Sequence, residues 1–297
     1  MSMQASLNRR AFKLRTRLPN VDTLAAKTSF GAEAEITNAS APLFANAAAY
    51  DRYMGEWSAA VGTVFLDWIA PGKGKLWLDA GCGTGAFTRL IERRCSPDRI
   101  SSVDAEPAQI EYAKRQNSPL VTYQVADVQA LPFSNASFDM IVSALLLNFV
   151  PRLDQALLEM RRLARPDATI AGYVWDFENE FSPTGRFRLA MKRFGLRPPE
   201  IPGTSRSNLQ ALHHFFDQAG FRDIACRSID VTIEFENFES FWRAQTSGHG
   251  PTSDLINNLP EQARSALAES ICNGLPRNEQ GVISYCARAN AIRAKAA

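Results

Sequence analysis

An apolar run, Leu76-Trp77-Leu78, ends in Asp79 and passes at once into Ala80-Gly81-Cys82-Gly83-Thr84-Gly85, after which a helical pattern runs from Phe87 to Ile91. Few arrangements satisfy a strand that turns through alternating glycines into a helix. Glycine reaches positive φ and carries no Cβ, so such a turn lays bare backbone against a ligand. The acid that closes the strand narrows the choice of ligand. A carboxylate beside a pyrophosphate is repelled, whereas beside an ammonium group it is attracted.

The rest of the chain supports an alternating architecture. Strands are predicted at Lys75–Ala80, Ile100–Asp104, Leu120–Val125, Phe138–Ala144 and Thr169–Trp175. Helices are predicted at Trp57–Ile69, Ala86–Arg94, Pro107–Arg115 and Leu153–Leu163. Pro107 suits a first helical turn, where its missing N–H has no intrahelical partner to lose. The strands are apolar on both faces, as in Met140-Ile141-Val142, which suits a parallel sheet covered on both sides. A doubly wound α/β domain follows.

Beyond Trp175 the rhythm breaks. Residues 176–206 are rich in Phe, Arg, Pro and Gly, with a helix expected over Gly185–Phe194. A helix near Asn208–Ala219 stops at Gly220, a strand is expected over Ile224–Phe235, residues 237–275 read as mainly helical, and Val282–Ala289 as a final strand. The domain reading is a flexible basic extension over residues 1–45, then one domain over 46–297 with cap insertions near 176–206 and 237–275.

Charge and cysteines exclude several classes. The 33 basic and 31 acidic residues nearly cancel, so nothing global favours nucleic acid or an anionic membrane. Five scattered cysteines with no C-x-x-C argue against a zinc site or disulfide framework and for a reducing cytoplasm. No apolar run reaches the roughly 18 residues of a membrane span. Arg9-Arg10-Ala11-Phe12-Lys13 touches on a twin-arginine signal, but Arg15-Thr16-Arg17-Leu18-Pro19-Asn20 is not the apolar segment that export requires. A mobile basic extension, or a short arm that docks on the body or on a neighbouring subunit, is the plainer reading, and a homodimer stays open.

Ligands of open α/β sheets bind beyond the carboxyl ends of the strands. There Gly81, Gly83 and Gly85 allow close approach, Asp104 is placed for ribose hydroxyls, and Asp127 for an adenine amino group between the apolar Ala126 and Val128. Asp79 is placed for a cationic amine. The pattern Gly81-x-Gly83-x-x-Ala86 also fits a dinucleotide turn, so an NAD-dependent oxidoreductase is an alternative. Asp79 and Asp127 weigh against it. S-adenosylmethionine fits a site that takes adenosine at one end and an ammonium at the other.

Trp77-Leu78-Asp79-Ala80-Gly81-Cys82-Gly83-Thr84-Gly85 resembles the first motif of class I S-adenosylmethionine-dependent methyltransferases, and Asp104-Ala105-Glu106-Pro107 resembles the second. Asp127-Val128-Gln129-Ala130-Leu131-Pro132-Phe133 with Ser137-Phe138-Asp139 is similar to the third and fourth motifs of the small-molecule, ubiquinone/menaquinone-type branch. Tyr173-Val174-Trp175-Asp176 and Gly248-His249-Gly250-Pro251 resemble a bacterial subgroup. The resemblance implies strand order 3-2-1-4-5-7-6 with strand seven antiparallel. It implies cofactor contacts at Tyr53, Trp57, Cys82, Ala105 and Ala144 besides the residues above. The family usually carries Pro-Gly-Gly before strand five, where Arg165-Pro166-Asp167-Ala168 stands here.

Methyl transfer is an in-line displacement that rests on positioning and needs a base only when the nucleophile carries a proton. His249 is the candidate base; His213 and His214 read as partly exposed helix residues. Asn148, after strand four at the pocket rim, and Trp175 and Trp242, among the aromatics of the later segments, are the substrate candidates, and Arg186, Arg188 and Arg243 are either solvated or paired with an acidic substituent. The expected substrate is a small organic molecule with a hydrophobic body. No metal, nucleic-acid or membrane-spanning role is expected. A non-catalytic S-adenosylmethionine-binding protein is the remaining alternative.

Overall fold

The computed structural model describes residues 47–296 apart from 116–117 and 248–249, with side chains from Met54 onward. The elements run α1 (Ala47–Ile69), β1 (Leu76–Ala80), α2 (Ala86–Cys95), β2 (Arg99–Asp104), α3 (Pro107–Lys114), β3 (Val121–Val125), β4 (Phe138–Ala144), α4 (Leu153–Leu163) and β5 (Ala164–Trp175). They continue with α5 (Gly185–Arg193), α6 (Leu209–Gln218), β6 (Arg222–Phe235), α7 (Phe238–Thr246), α8 (Pro251–Asn257), α9 (Glu261–Gly274) and β7 (Ile283–Lys295). One seven-stranded sheet has the order β3-β2-β1-β4-β5-β7-β6. Strand β7 runs antiparallel to β5 and β6, and the other pairings are parallel. The fold class and strand order are those expected.

Side chains of successive strand residues point to opposite faces, and this period divides the core in two. Trp77, Ile100, Met140, Val142, Tyr173 and Trp175 join α1, α2, α5 and α7 on one face. Leu78, Ala80, Val103, Ile141, Ile170 and Val174 join α4 and α6 on the other. Asp79 falls on the first face by this alternation, in register with Ser102 of β2 and Val142 of β4. The strand order reverses between β1 and β4, which places the mouth of a crevice at the end of β1.

Three bounds differ from expectation by more than two residues. Helix α1 begins at Ala47, because Ala47-Ala48-Ala49 are strong helix formers that extend the turn pattern backwards. Strand β5 begins at Ala164 and takes in Arg165-Pro166-Asp167-Ala168, with Asp167 at φ 63° and a register shift between Phe138 and Met140 on its partner. Arg165 anchors that irregular stretch through an ion pair with Asp139 at 3.1 Å. Strand β7 continues to Lys295, because β6 pairs with it from Ile283 to Lys295 and β5 from Ala289 to Lys295; its alanines at 287, 289, 291 and 294 are weak strand formers held there by pairing.

Candidate active site

The three glycines of the turn all adopt positive φ: 80° at Gly81, 52° at Gly83 and 78° at Gly85. They differ in what they make room for. A Cβ on Gly81 would lie 2.5 Å from Leu146 Cδ2, and one on Gly85 would lie 2.8 Å from the Tyr123 hydroxyl. A Cβ on Gly83 would meet nothing within 4 Å. Two glycines therefore admit neighbouring side chains, and only Gly83 faces open space. Leu146 reaches Gly81 from the loop after β4, where Leu145 holds φ 61°, a conformation that costs a non-glycine residue about 1 kcal/mol or more.

Asp79 is fully buried. Its Oδ2 accepts the Thr88 hydroxyl at 2.6 Å, and Thr88 Oγ1 lies 3.2 Å from Ser102 Oγ. Its Oδ1 has no partner. Burial raises the carboxyl to about 7, the Thr88 hydrogen bond opposes this, and the neighbouring charge of Asp104 adds to the rise. Burial, with Asp79 and Asp104, also pushes the Cys82 thiol well up. Tyr123 is pushed up to about 12, first by burial and then by Cys82 and Asp79.

Asp104 ends β2 within reach of the same turn. Its Oδ2 accepts the Gly83 backbone N–H at 2.9 Å, and its Oδ1 accepts that of Glu106 at 2.9 Å. Burial raises its carboxyl, and the two backbone donors oppose the rise. Ala105 follows directly. Asp127 lies after β3 and is exposed, with both oxygens taking the Gln129 side-chain amide at 3.0 and 2.9 Å. Beside it, Val128 is buried and Ala126 half-buried; Ala144 is half-buried at the end of β4.

The aromatic candidates lie over the first face of the sheet. Trp57 is 1% exposed and packs edge-on against Trp175, centroids 6.2 Å apart, and against Tyr285, 5.8 Å apart. Trp175 Nε1 has no acceptor. Trp242 of α7 stacks at a tilt on Phe187 of α5, 5.4 Å away. Asn148 is buried; its side-chain amide donates to the Pro202 carbonyl at 3.1 Å and its Oδ1 is without a partner. The Tyr53 side chain and His249, the candidate base, lie outside the described residues.

Two other groups of candidates are placed away from the glycine turn. His213 and His214 are exposed on α6 and line a shallow cavity of about 450 Å³ with Leu209, Gln210, Asp217 and Cys226. Arg188 is neither solvated nor free for a substrate acid: it pairs with Glu180 at 2.9 Å and donates to the Pro199 carbonyl at 2.6 Å. Arg186 donates to the Gly274 carbonyl and covers the Tyr285 ring.

The structure thus brings Asp79, Gly81, Cys82, Gly83, Gly85 and Asp104 together around one turn. Sequence reasoning missed Thr88, Ser102, Tyr123 and Leu146. The first two carried a signal: each is a polar residue at an inward position of an otherwise apolar face. Tyr123 and Leu146 carried none, since their contacts depend on how the strands lie side by side. Among the described residues no cluster of His, Cys, Asp and Glu is arranged to hold a metal, and no helix is long and apolar enough to cross a membrane.

A family model described as a methyltransferase domain matches residues 78–172. The O-methyltransferase cnsE of Penicillium expansum is 31% identical over 204 residues, which cover 66% of this chain and 68% of that protein. The malonyl-[acyl-carrier protein] O-methyltransferase of Serratia marcescens is 33% identical over 130 residues, covering 42% of this chain and 50% of that protein. The aligned part thus spans about half the length of that relative, as it does for the Erwinia pyrifoliae enzyme of the same name (48%). Among solved structures, the methyltransferase bound to the Trm112 activator of Haloferax volcanii shares the fold, with TM-score 0.51 at 15% identity, over 83% of this chain and 93% of that one.

Proposed function

The chain belongs to the class I S-adenosylmethionine-dependent methyltransferases, and from that premise we propose that it transfers a methyl group to an oxygen of a small organic acceptor with a hydrophobic body. Oxygen is chosen because the three curated relatives above are all O-methyltransferases by name. The reading carries with it a cytosolic setting and no nucleic-acid partner.

One observation carries the cofactor assignment: a fully buried carboxylate, Asp79, keeps an oxygen without a partner, and the charge acting on it is another carboxylate. A buried anion left so is costly, and a cationic amine is the group that would relieve it. A phosphate would deepen the cost. Gly83, the glycine that faces open space, leaves room for a ligand against the backbone. Each Asp104 oxygen accepts one backbone N–H and keeps capacity for ribose hydroxyls. We assign Asp79, Gly81, Cys82, Gly83, Gly85, Asp104, Ala105, Ala126, Asp127, Val128 and Ala144 to the cofactor side of the site.

When bound, the cofactor supplies a methyl group on a positively charged sulfur, already activated for displacement. The chain's part is then to hold and to exclude. Asp79 and Asp104 fix the two ends of the ligand against the turn. Trp175 at the end of β5 and the aromatics of α5 and α7, Trp242 among them, keep water from the acceptor and fix its approach, and alignment of this kind is worth several kcal/mol. Asn148 is proposed to orient the acceptor through its open Oδ1. His249 is proposed as the base for an acceptor that carries a proton.

The test is calorimetric titration with S-adenosylhomocysteine and with NAD, followed by labelled-methyl transfer to a panel of carboxylic acids and phenols. Saturable binding of the first and transfer to oxygen are expected. Binding of NAD alone would overturn the reading. Cofactor binding without transfer to any acceptor would leave a non-catalytic binder.

A further inference from the structure

We infer that Thr88 is a positioning residue for the cationic end of the ligand: its hydroxyl engages one oxygen of the buried Asp79 and leaves the other as the single acceptor for an amine, which takes the place of a proton on that carboxylate. The inference rests on the ligand class proposed above and adds a residue and a proton to it.

The geometry gives Thr88 this role. It sits on the first turn of α2, is itself fully buried, and donates to Asp79 Oδ2 at 2.6 Å. A hydroxyl has one proton to give. With it committed to Asp79, Ser102 at 3.2 Å must be the donor toward Thr88. The chain of hydroxyls therefore has a fixed direction: Ser102 to Thr88 to Asp79. Nothing in it reaches Oδ1.

The groups around Asp79 decide its protonation. From β2 come Ser102 and Asp104, from the turn Cys82, from α2 Thr88, and from β3 Tyr123. Arg89 acts on Tyr123 and its guanidinium is bonded to the Thr84 carbonyl at 3.0 Å. The carboxyls, thiol and phenol bring no positive charge to Asp79. In the ligand-free protein the carboxyl accordingly takes a proton at about 7. An ammonium needs the ionised form, so its arrival expels that proton. Below this point affinity falls with each further proton bound by the free protein, and above it affinity is constant.

The experiment is titration calorimetry of the full chain at pH 6 and pH 8, in two buffers of different ionisation enthalpy. The ligands are S-adenosylhomocysteine, which carries the ammonium, and 5′-methylthioadenosine, which keeps the adenosine and sulfur but lacks it. For S-adenosylhomocysteine an affinity about tenfold weaker at pH 6, with proton release on binding, is expected. For 5′-methylthioadenosine the affinity should be flat, which separates Asp79 from Asp104 at the ribose. Thr88→Val should weaken S-adenosylhomocysteine and spare 5′-methylthioadenosine; Thr88→Ser should restore the wild-type values. Asp79→Asn should abolish the pH dependence. If S-adenosylhomocysteine binds equally at both pH values, or if Thr88→Val weakens both ligands alike, the inference is overturned while the cofactor assignment stands. If S-adenosylhomocysteine does not bind at all, the cofactor assignment itself fails.

Discussion

Asp104 accepts the backbone N–H of Gly83 at 2.9 Å, so the carboxylate that closes β2 is tied to the turn that closes β1. The two strands lie side by side in register, Asp79 opposite Ser102 and Ala80 opposite Val103, and the tether joins their tips. One side chain thereby sets the shape of the turn and keeps lone pairs for a ligand.

Asp104→Ala should remove both functions. It strips two backbone donors of a charged acceptor and removes the proposed ribose contact. Hydrogen bonds to charged groups are worth about 1.5–3 kcal/mol each, so S-adenosylhomocysteine affinity should fall by about 100-fold. Asp104→Asn retains one oxygen for the Gly83 N–H and should lose less. Titration calorimetry of the two variants reads the difference; equal losses would mean that the charge, and not the tether, matters.

The glycines of the turn should respond unequally to alanine. Gly81→Ala drives a Cβ into Leu146, and Gly85→Ala drives one into the Tyr123 hydroxyl. Both should lower the melting temperature, and Leu146→Ala should recover part of the loss in Gly81→Ala. Gly83→Ala meets no atom of the protein, so its stability cost is confined to the positive φ, about 1 kcal/mol. Its loss of S-adenosylhomocysteine affinity should be larger than that stability cost explains. Differential scanning fluorimetry beside calorimetry separates the two quantities.

What the sequence made legible follows from how local each signal was. The turn after β1 and the bounds of β4 and α4 depend on residues a few positions apart, and the alternation of strands and helices carries the sheet. The start of β5 and the end of β7 depend on partners far along the chain. Ala289 and Ala291 carry little strand preference of their own and are held by Trp175 and Tyr173 opposite. The same division holds at the site. Asp79 and Asp104 were readable because they end strands. Thr88 announced itself only as a polar residue on an apolar helix face, its bond to Asp79 needed the helix laid over the strand, and the separate duties of Gly81 and Gly83 needed Leu146 in place. Arg188 illustrates the limit: its partner Glu180 sits in the bend before α5, with no helical spacing to announce the pair.

That pair gives a stability prediction. The Arg188 and Glu180 side chains are each 9% exposed, and Lys192 shares the same carboxylate at 2.5 Å. Through Pro199 the guanidinium also holds the segment after α5. Removing one partner of a buried pair leaves the other charge uncompensated and costs about 3–5 kcal/mol. Glu180→Gln should show a loss of that order in urea unfolding. Replacing Glu180 and Arg188 together by Leu and Met should cost less than Glu180→Gln alone.

Trp57 provides the last test, because it joins α1 to the aromatic cluster over the sheet. It is 1% exposed and meets Trp175 and Tyr285 edge to face. Such a residue acts first through packing. Trp57→Ala removes a large buried ring whose aromatic neighbours belong to two strands, β5 and β7, so the site has little freedom to collapse, and a loss of about 3–5 kcal/mol is expected. Trp57→Phe keeps an aromatic edge and should lose less. If the effect on the ligand is only through packing, S-adenosylhomocysteine affinity of Trp57→Phe, measured well below its melting temperature, should stay within about threefold of wild type, a difference under 1 kcal/mol. A large loss of affinity in a variant that unfolds at the wild-type temperature would instead make Trp57 a direct contact of the ligand.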